Sequence, residues 1–189
     1  MRNEPRDHDI DDPAALEPAP PGALRPPGDA KLSIPMRARD AFYARVTQRL
    51  RRSLAPELQR FTARPMFNIM KVAYDNERIH YEVVLDVSRR WLEIGLHFED
   101  GPASTIAYLA HFDGRIVELK DLLGPEIEIE RWTQSWGRIY ELWPLDGVDQ
   151  AVADRVADRL AAYVSTLQPI VESLGIPPER MAAPRRTRR

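Results

Sequence analysis

Residues 91–99 read Trp-Leu-Glu-Ile-Gly-Leu-His-Phe-Glu. Leu92, Ile94, Leu96 and Phe98 alternate with Trp91, Glu93, Gly95, His97 and Glu99. Successive side chains of a strand point to opposite faces, so this spacing predicts a strand with one buried face. Such a strand needs partners whose apolar sets fall on the same side, and the chain supplies them on both flanks.

Residues 79–87 place Ile79, Tyr81, Val83, Leu85 and Val87 on one face, and residues 66–74 form a third apolar run. Asp75 to Arg78 and Ser88 to Arg90 provide turn chemistry between them. A slip of one residue would expose a whole apolar face, so odd positions of 79–87 must pair with even positions of 91–99. A four-residue loop from Ser88 to Trp91 sets Val87 opposite Leu92 and Tyr81 opposite Phe98. A four-residue first turn sets Val72 opposite Tyr81 and Met70 opposite Val83. On the other face this register puts His80 opposite Glu99 and Glu82 opposite His97, with Lys71 beside Glu82. A two-residue loop would bring His80 opposite His97 instead.

Three helical patterns surround the strands. In residues 35–54, Phe42, Val46 and Leu50 recur at four-residue intervals, with Pro35 at the start and Pro56 as the stop. Between Gly101-Pro102 and Gly124-Pro125, Leu109, Phe112, Ile116, Leu119 and Leu123 form a stripe, with Gly114 a point where the helix kinks or splits. Residues 148–174 carry Val152, Val156, Leu160, Tyr163, Leu167 and Ile170, and Gly175 ends the run. Residues 126–132 and 137–143 alternate again and predict two more strands.

The order α-β-β-β-α-β-β-α predicts an α+β two-layer sandwich: a mainly antiparallel five-strand sheet with helices on one face. This order is similar to that of the type III secretion chaperone-like fold, a likeness of topology alone. The domain is expected over residues 34–175. Residues 1–33, rich in proline and acids, and the arginine-rich 176–189 are expected to be disordered tails.

Composition removes several functions. There is no cysteine, hence no disulfide, thiolate zinc site or thiol nucleophile. The net charge of −2 gives no global nucleic-acid or membrane footprint. No stretch approaches a membrane-spanning length and the start is unlike a signal peptide, so a cytoplasmic protein is expected.

Candidate residues fall into four sets. His80, Glu82, His97 and Glu99 could hold a divalent ion or serve as acid–base groups, against the plainer reading of cross-strand polar pairs. Trp91, Trp132, Trp136, Trp143 and Phe67 could form a partner or homodimer surface. Arg45, Arg49 and Arg52 on the first helix, with Arg131 and Arg138, could meet nucleic acid. Glu118-Leu119-Lys120, preceded by Asp100 and Asp113, matches the residue types of a metal-dependent nuclease. The Gly-Pro stop predicts a helix there, and residues two apart on a helix do not share a face.

The segments L-E-I-G-L-H-F-E, V-E-L-K-D-L-L-G, E-I-E-I-E-R-W and G-R-I-Y-E-L, between Leu92 and Leu142, resemble an uncharacterised prokaryotic domain family of unknown function. Its members often sit at the C-terminal end of restriction-nuclease-like proteins. The resemblance implies an accessory role tied to defence or nucleic acid, although this chain has no room for a separate nuclease domain. The residues themselves point first to a non-enzymatic protein-interaction module, adaptor or chaperone-like, with no cofactor and with a protein partner or a second copy of itself. A nucleic-acid accessory and a metal-dependent hydrolase or nuclease are the alternatives.

Overall fold

The computed structural model describes residues 32–178; the disorder expected for the rest of the two tails falls on residues outside these. The elements run α1 (Met36–Ser53), a one-turn 3-10 helix (Pro56–Gln59), β1 (Thr62–Met66), β2 (Ile69–Ala73), β3 (Ile79–Asp86), β4 (Trp91–Phe98), α2 (Pro102–Asp113), α3 (Ile116–Leu123), β5 (Glu128–Arg131), β6 (Gly137–Pro144) and α4 (Gln150–Leu174). All strand pairs are antiparallel, in the order β1-β2-β3-β4-β6-β5. The fold is α+β, as expected, with six strands among the described residues rather than five.

The additional strand is β1. The sequence predicts a single strand over 66–74, but Met66 pairs with Ile69 across a tight turn at Phe67 and Asn68. Thr-Ala-Arg-Pro-Met lacks an alternating apolar set because it is an exposed edge, and Pro65 is tolerated there since an edge strand can spare an N–H. The turn carries no glycine; Phe67 itself takes φ +52°.

The β2–β3 register is the expected one, with Val72 opposite Tyr81 and Met70 opposite Val83. Between β3 and β4 the structure shifts the expected pairing by two residues: Leu85 faces Leu92, Val83 faces Ile94 and Tyr81 faces Leu96. A two-residue shift leaves every side chain on its face, so alternation cannot select between the registers. The turn decides. The Asp86 carboxylate accepts from Ser88 Oγ at 2.6 Å and from the Arg89 N–H at 2.9 Å, and Arg90 adopts φ +60°.

The helices cover one face. Thr47 of α1 reaches Met70, Tyr108 and Phe112 of α2 stack on Phe98, and Gln168 of α4 accepts from Tyr81 Oη. Strand alternation and register put Met70, Tyr81, Phe98 and Glu141 on the same side of the sheet. The core between the layers holds Phe42, Val46 and Leu50 from α1, Leu92, Ile94, Leu96 and Phe98 from β4, and Val156, Leu160, Tyr163 and Leu167 from α4. Leu32 and Ile176, just outside the expected domain limits of 34–175, also pack on this core.

Gly114 and Arg115 divide the expected single helix into α2 and α3, because Arg115 leaves helical geometry at φ −118°, ψ 12°. Gly124, at φ +95°, ends α3 in a conformation that other residues avoid. Asp149 caps α4 by accepting the Val152 N–H at 2.8 Å, and Gly175 closes it at φ +56°.

On the helix-covered side a charged pair joins the sheet to the helices. Glu141 of β6 is buried and accepts two bonds from Arg159 of α4, each 2.6 Å long. The same guanidinium also donates to the Leu123 carbonyl at the end of α3 and lies over the Tyr163 ring. It thereby ties β6, α3 and α4 at one point.

Candidate functional site

Among the described residues no helix packs on the opposite face of the sheet, yet its centre is closed to solvent. His80 is 1 % exposed, His97 2 % and Glu82 5 %. The observed register puts His80 directly opposite His97 and Glu82 opposite Gly95, correcting the expected His80–Glu99 and Glu82–His97 pairs. It corresponds to the shorter of the two loops considered, and it keeps Lys71 opposite Glu82. The four expected residues still converge: one ligand-capable atom from each of His80, Glu82, His97 and Glu99 lies within 4.8 Å of the others.

The imidazoles lie nearly parallel, with ring centroids 5.8 Å apart. His80 Nδ1 lies 2.9 Å from the Glu77 carbonyl oxygen, and its Nε2 lies 2.9 Å from Glu82 Oε1 and 3.9 Å from Glu99 Oε2. His97 Nε2 lies 2.9 Å from Glu93 Oε1, and its Nδ1 lies 3.7 Å from Glu82 Oε2. Lys71 Nζ lies 3.0 Å from Glu82 Oε1 and 3.2 Å from Glu99 Oε2. Arg138 extends the network by pairing with Glu93 at 2.9 Å and Glu130 at 2.6 Å.

Gly95 makes this arrangement possible. Glu93 and His97 are four residues apart on one strand, roughly 13 Å between α-carbons, and they meet because the residue between them on that face has no side chain. A β-carbon on Gly95 would lie 2.8 Å from the Ile139 carbonyl oxygen and 2.8 Å from the Tyr140 β-carbon.

Electrostatics follow from these distances. Burial works against the charge on Glu82, but His97, His80 and Lys71 outweigh it and hold the carboxyl far below its ordinary range. Burial likewise opposes protonation of His97, and Glu82, Glu93 and Glu99 overcome it and raise its pKa. Lys71 follows the same pattern: burial opposes its charge, and Glu82 and Glu99 raise it.

Aromatic residues border the network unevenly. The Trp132 ring meets His97 edge-on at 6.5 Å and Trp136 at 5.8 Å, while Arg138 lies over Trp132 and over Tyr140. Trp91 is half-buried at the end of β4, and Trp143 packs against the core on the helix-covered side. The tryptophans therefore do not form one exposed surface. Exposed apolar side chains lie elsewhere, in two groups: Phe67 at 75 %, Met66 at 51 % and Met36 at 66 %, and, on α2 and α3, Ile106 at 48 %, Val117 at 82 % and Leu122 at 60 %. Phe67 touches the Arg39 guanidinium, and Met36 lies one turn before Arg39 on α1. Met36 and Met66 were invisible as candidates, because Met66 read as the beginning of a strand.

Most arginine candidates are engaged. Arg45 and Arg49 form two-pronged pairs with Asp154 and Asp158 of α4. Arg131 donates to the carbonyls of Thr133 and Gln134, and Arg138 belongs to the sheet network. Arg52 is exposed. Glu118 and Lys120 lie on α3 and pair separately, Glu118 with Arg115 and Lys120 with Glu128. The structure does not bring them together; Asp100 is buried against Arg78 at 3.6 Å and Asp113 is exposed at the end of α2.

No helix among the described residues is long and apolar enough to cross a membrane. No protein-family model matches the chain, and a search of curated proteins finds no match.

Proposed function

We propose that this domain works by protein–protein contact, as a small adaptor or chaperone-like module without catalytic activity, through the β1–β2 hairpin tip and the start of α1. One observation carries the reading. Phe67 holds a left-handed backbone conformation, φ +52°, while leaving three quarters of its surface in water. A bulky residue there gives up roughly 1–2 kcal/mol of backbone energy, and its exposure returns little of it by burial. Asparagine or glycine would serve the turn better. Strain kept together with an exposed aromatic ring fits selection for contact rather than for folding. Met66 and Met36 add adaptable apolar surface beside it.

A second copy of the chain is the partner proposed. Pro65 interrupts the free edge of β1, so the contact is made by side chains of the tip and not by extending the sheet. Sedimentation velocity over a concentration series tests this. The wild-type chain should self-associate and Phe67→Asn should remain monomeric with an unchanged circular dichroism spectrum. A wild-type chain that stays monomeric at high concentration would refute it.

The accessory role in nucleic-acid or defence systems, implied by the family resemblance, has less support because Arg45, Arg49 and Arg138 are already paired with carboxylates. A nuclease built on Glu118 and Lys120 has less still, since each pairs with a different partner.

A further inference from the structure

We propose that His80, Glu82, His97 and Glu99 form a binding site for a zinc-type divalent cation on the open face of the sheet. The argument begins with which ring nitrogens carry hydrogen. His80 Nδ1 faces the Glu77 carbonyl oxygen, which can only accept, so Nδ1 carries the hydrogen. In the neutral ring the lone pair of His80 is then on Nε2, and Nε2 points at the Glu82 carboxylate, 2.9 Å away. His97 Nε2 faces the Glu93 carboxylate, so in the neutral ring its lone pair is on Nδ1, which lies 3.7 Å from Glu82 Oε2. Two ring nitrogens thus converge on one carboxylate, and the three groups hold together only with positive charge among them: protons on the rings, or a cation in their place.

That arrangement is the one metal-binding histidines adopt. Each ring is oriented by an acceptor on its far nitrogen, a backbone carbonyl for one and a carboxylate for the other, and offers the near nitrogen to the ion. Glu99 supplies a fourth donor from the open side of the cluster, where its side chain keeps 22 % of its exposure. Two nitrogens and two carboxylate oxygens suit zinc or a similar borderline ion better than magnesium or calcium, which prefer oxygen alone. The donors lie within 4.8 Å of one another. A tetrahedral zinc site needs them roughly 3.3 Å apart, a contraction that rotation of Glu82 and Glu99 can provide.

Lys71 is the competitor. Its ammonium bridges Glu82 and Glu99 and already supplies one positive charge. Lys71 is partly exposed, with 27 % of its side chain in contact with solvent, so an arriving ion can displace it outward. Removal of that ammonium should therefore strengthen metal binding, whereas a purely structural ion-pair network would merely lose stability.

The test uses the untagged full chain, stripped with chelator and titrated with zinc by calorimetry and with cobalt by visible absorption. One ion per chain is expected. The cobalt complex should show ligand-field bands of four-coordinate intensity and no thiolate charge-transfer band, since the chain has no cysteine. Glu99→Gln and His97→Gln should each weaken binding roughly tenfold or more. Lys71→Met should tighten it, and His111→Gln, outside the cluster, should leave it unchanged. Glu99 is the most exposed of the four ligands, so Glu99→Gln keeps the test valid if His97→Gln fails to fold. No uptake of micromolar zinc by the wild-type chain, or uptake unaffected by Glu99→Gln, overturns the proposal.

Discussion

Arg159→Met should be among the most damaging single changes in this domain, although Arg159 is no apolar core residue. The guanidinium neutralises Glu141, whose side chain is only 3 % exposed, while that of Arg159 is 22 % exposed. Methionine preserves the length and apolar stem of the side chain and removes the charge. Glu141 is then left without a counter-charge between the layers, a defect that costs about 3–5 kcal/mol. The Leu123 carbonyl loses its donor as well, at about 1 kcal/mol. Partial access to water at the Arg159 side lets solvent reach the orphaned carboxylate and moves the expectation to the lower end, about 3–4 kcal/mol. For a domain of this size that is a fall in Tm of about 6–15 °C. The informative comparison is the double variant Glu141→Leu with Arg159→Met. Removing both charges and filling the space with apolar groups should restore most of the loss, because the damage comes from the unpaired charge and not from the absence of the pair. Urea unfolding at neutral pH followed by circular dichroism measures all three proteins. If Arg159→Met loses less than about 1 kcal/mol, or if the double variant is worse than the single, the reasoning fails.

Gly95→Ala should destabilise by about 1–3 kcal/mol, near the upper end because one clash is with the Ile139 backbone oxygen, which cannot swing aside; a melting temperature equal to wild type would contradict the packing described. Phe67→Asn should leave the chain more stable by about 0.5 kcal/mol, relief of the left-handed strain outweighing the lost contact with Arg39; urea midpoints decide it, and a lower midpoint counts against the strain argument. The metal-free protein should show a stability plateau with two flanks. The folded state lowers Glu82 from an ordinary value of 4.5, so its contribution is present above that pH and disappears as the pH drops towards the folded value. His97 is raised from 6.5, so its contribution is complete below that pH and disappears as the pH climbs through the folded value. Unfolding free energies near pH 3, 5.5 and 9 should therefore be highest at the middle point, and His97→Gln should flatten the alkaline flank.

The alternation of Leu92, Ile94, Leu96 and Phe98 was enough to locate the core face, and periodicity located the α-helices, with α2 and α3 read as one run, but not the 3-10 helix at Pro56–Gln59. It was also enough to place His80, Glu82, His97 and Glu99 together on the far face, since each is out of phase with the apolar set. Their pairing was less accessible. A shift of two residues preserves every face, and the discriminating contacts, the Asp86 carboxylate with Ser88 and Arg89, belong to a turn with no strong signature. β1 was hidden for a related reason: an edge strand containing Arg64 and Pro65 buries too little to leave a pattern. The Glu141–Arg159 pair could not be anticipated, because a glutamate on the covered side of β6 breaks the rule by which the other residues were sorted. Glu93 was missed as a partner of His97 because positions four apart on a strand are normally out of reach, and only a glycine between them permits the contact.

The clasp between α1 and α4 bears on the order in which the molecule assembles. Arg45–Asp154 and Arg49–Asp158 join positions 109 residues apart, whereas β1 to β4 pair with one another in sequence order. Short loops close quickly and long ones late. The four-strand meander is thus the natural nucleus, β6 joins it across the α2–α3 excursion, and docking of α4 against α1 completes the structure. Until that last step the apolar stripe of α1 and the sheet beneath it have no lid, so the interval before α4 arrives is when this chain is most prone to aggregate. Folding kinetics of Asp154→Ala and Asp158→Ala would reveal that order as faster unfolding with unchanged refolding.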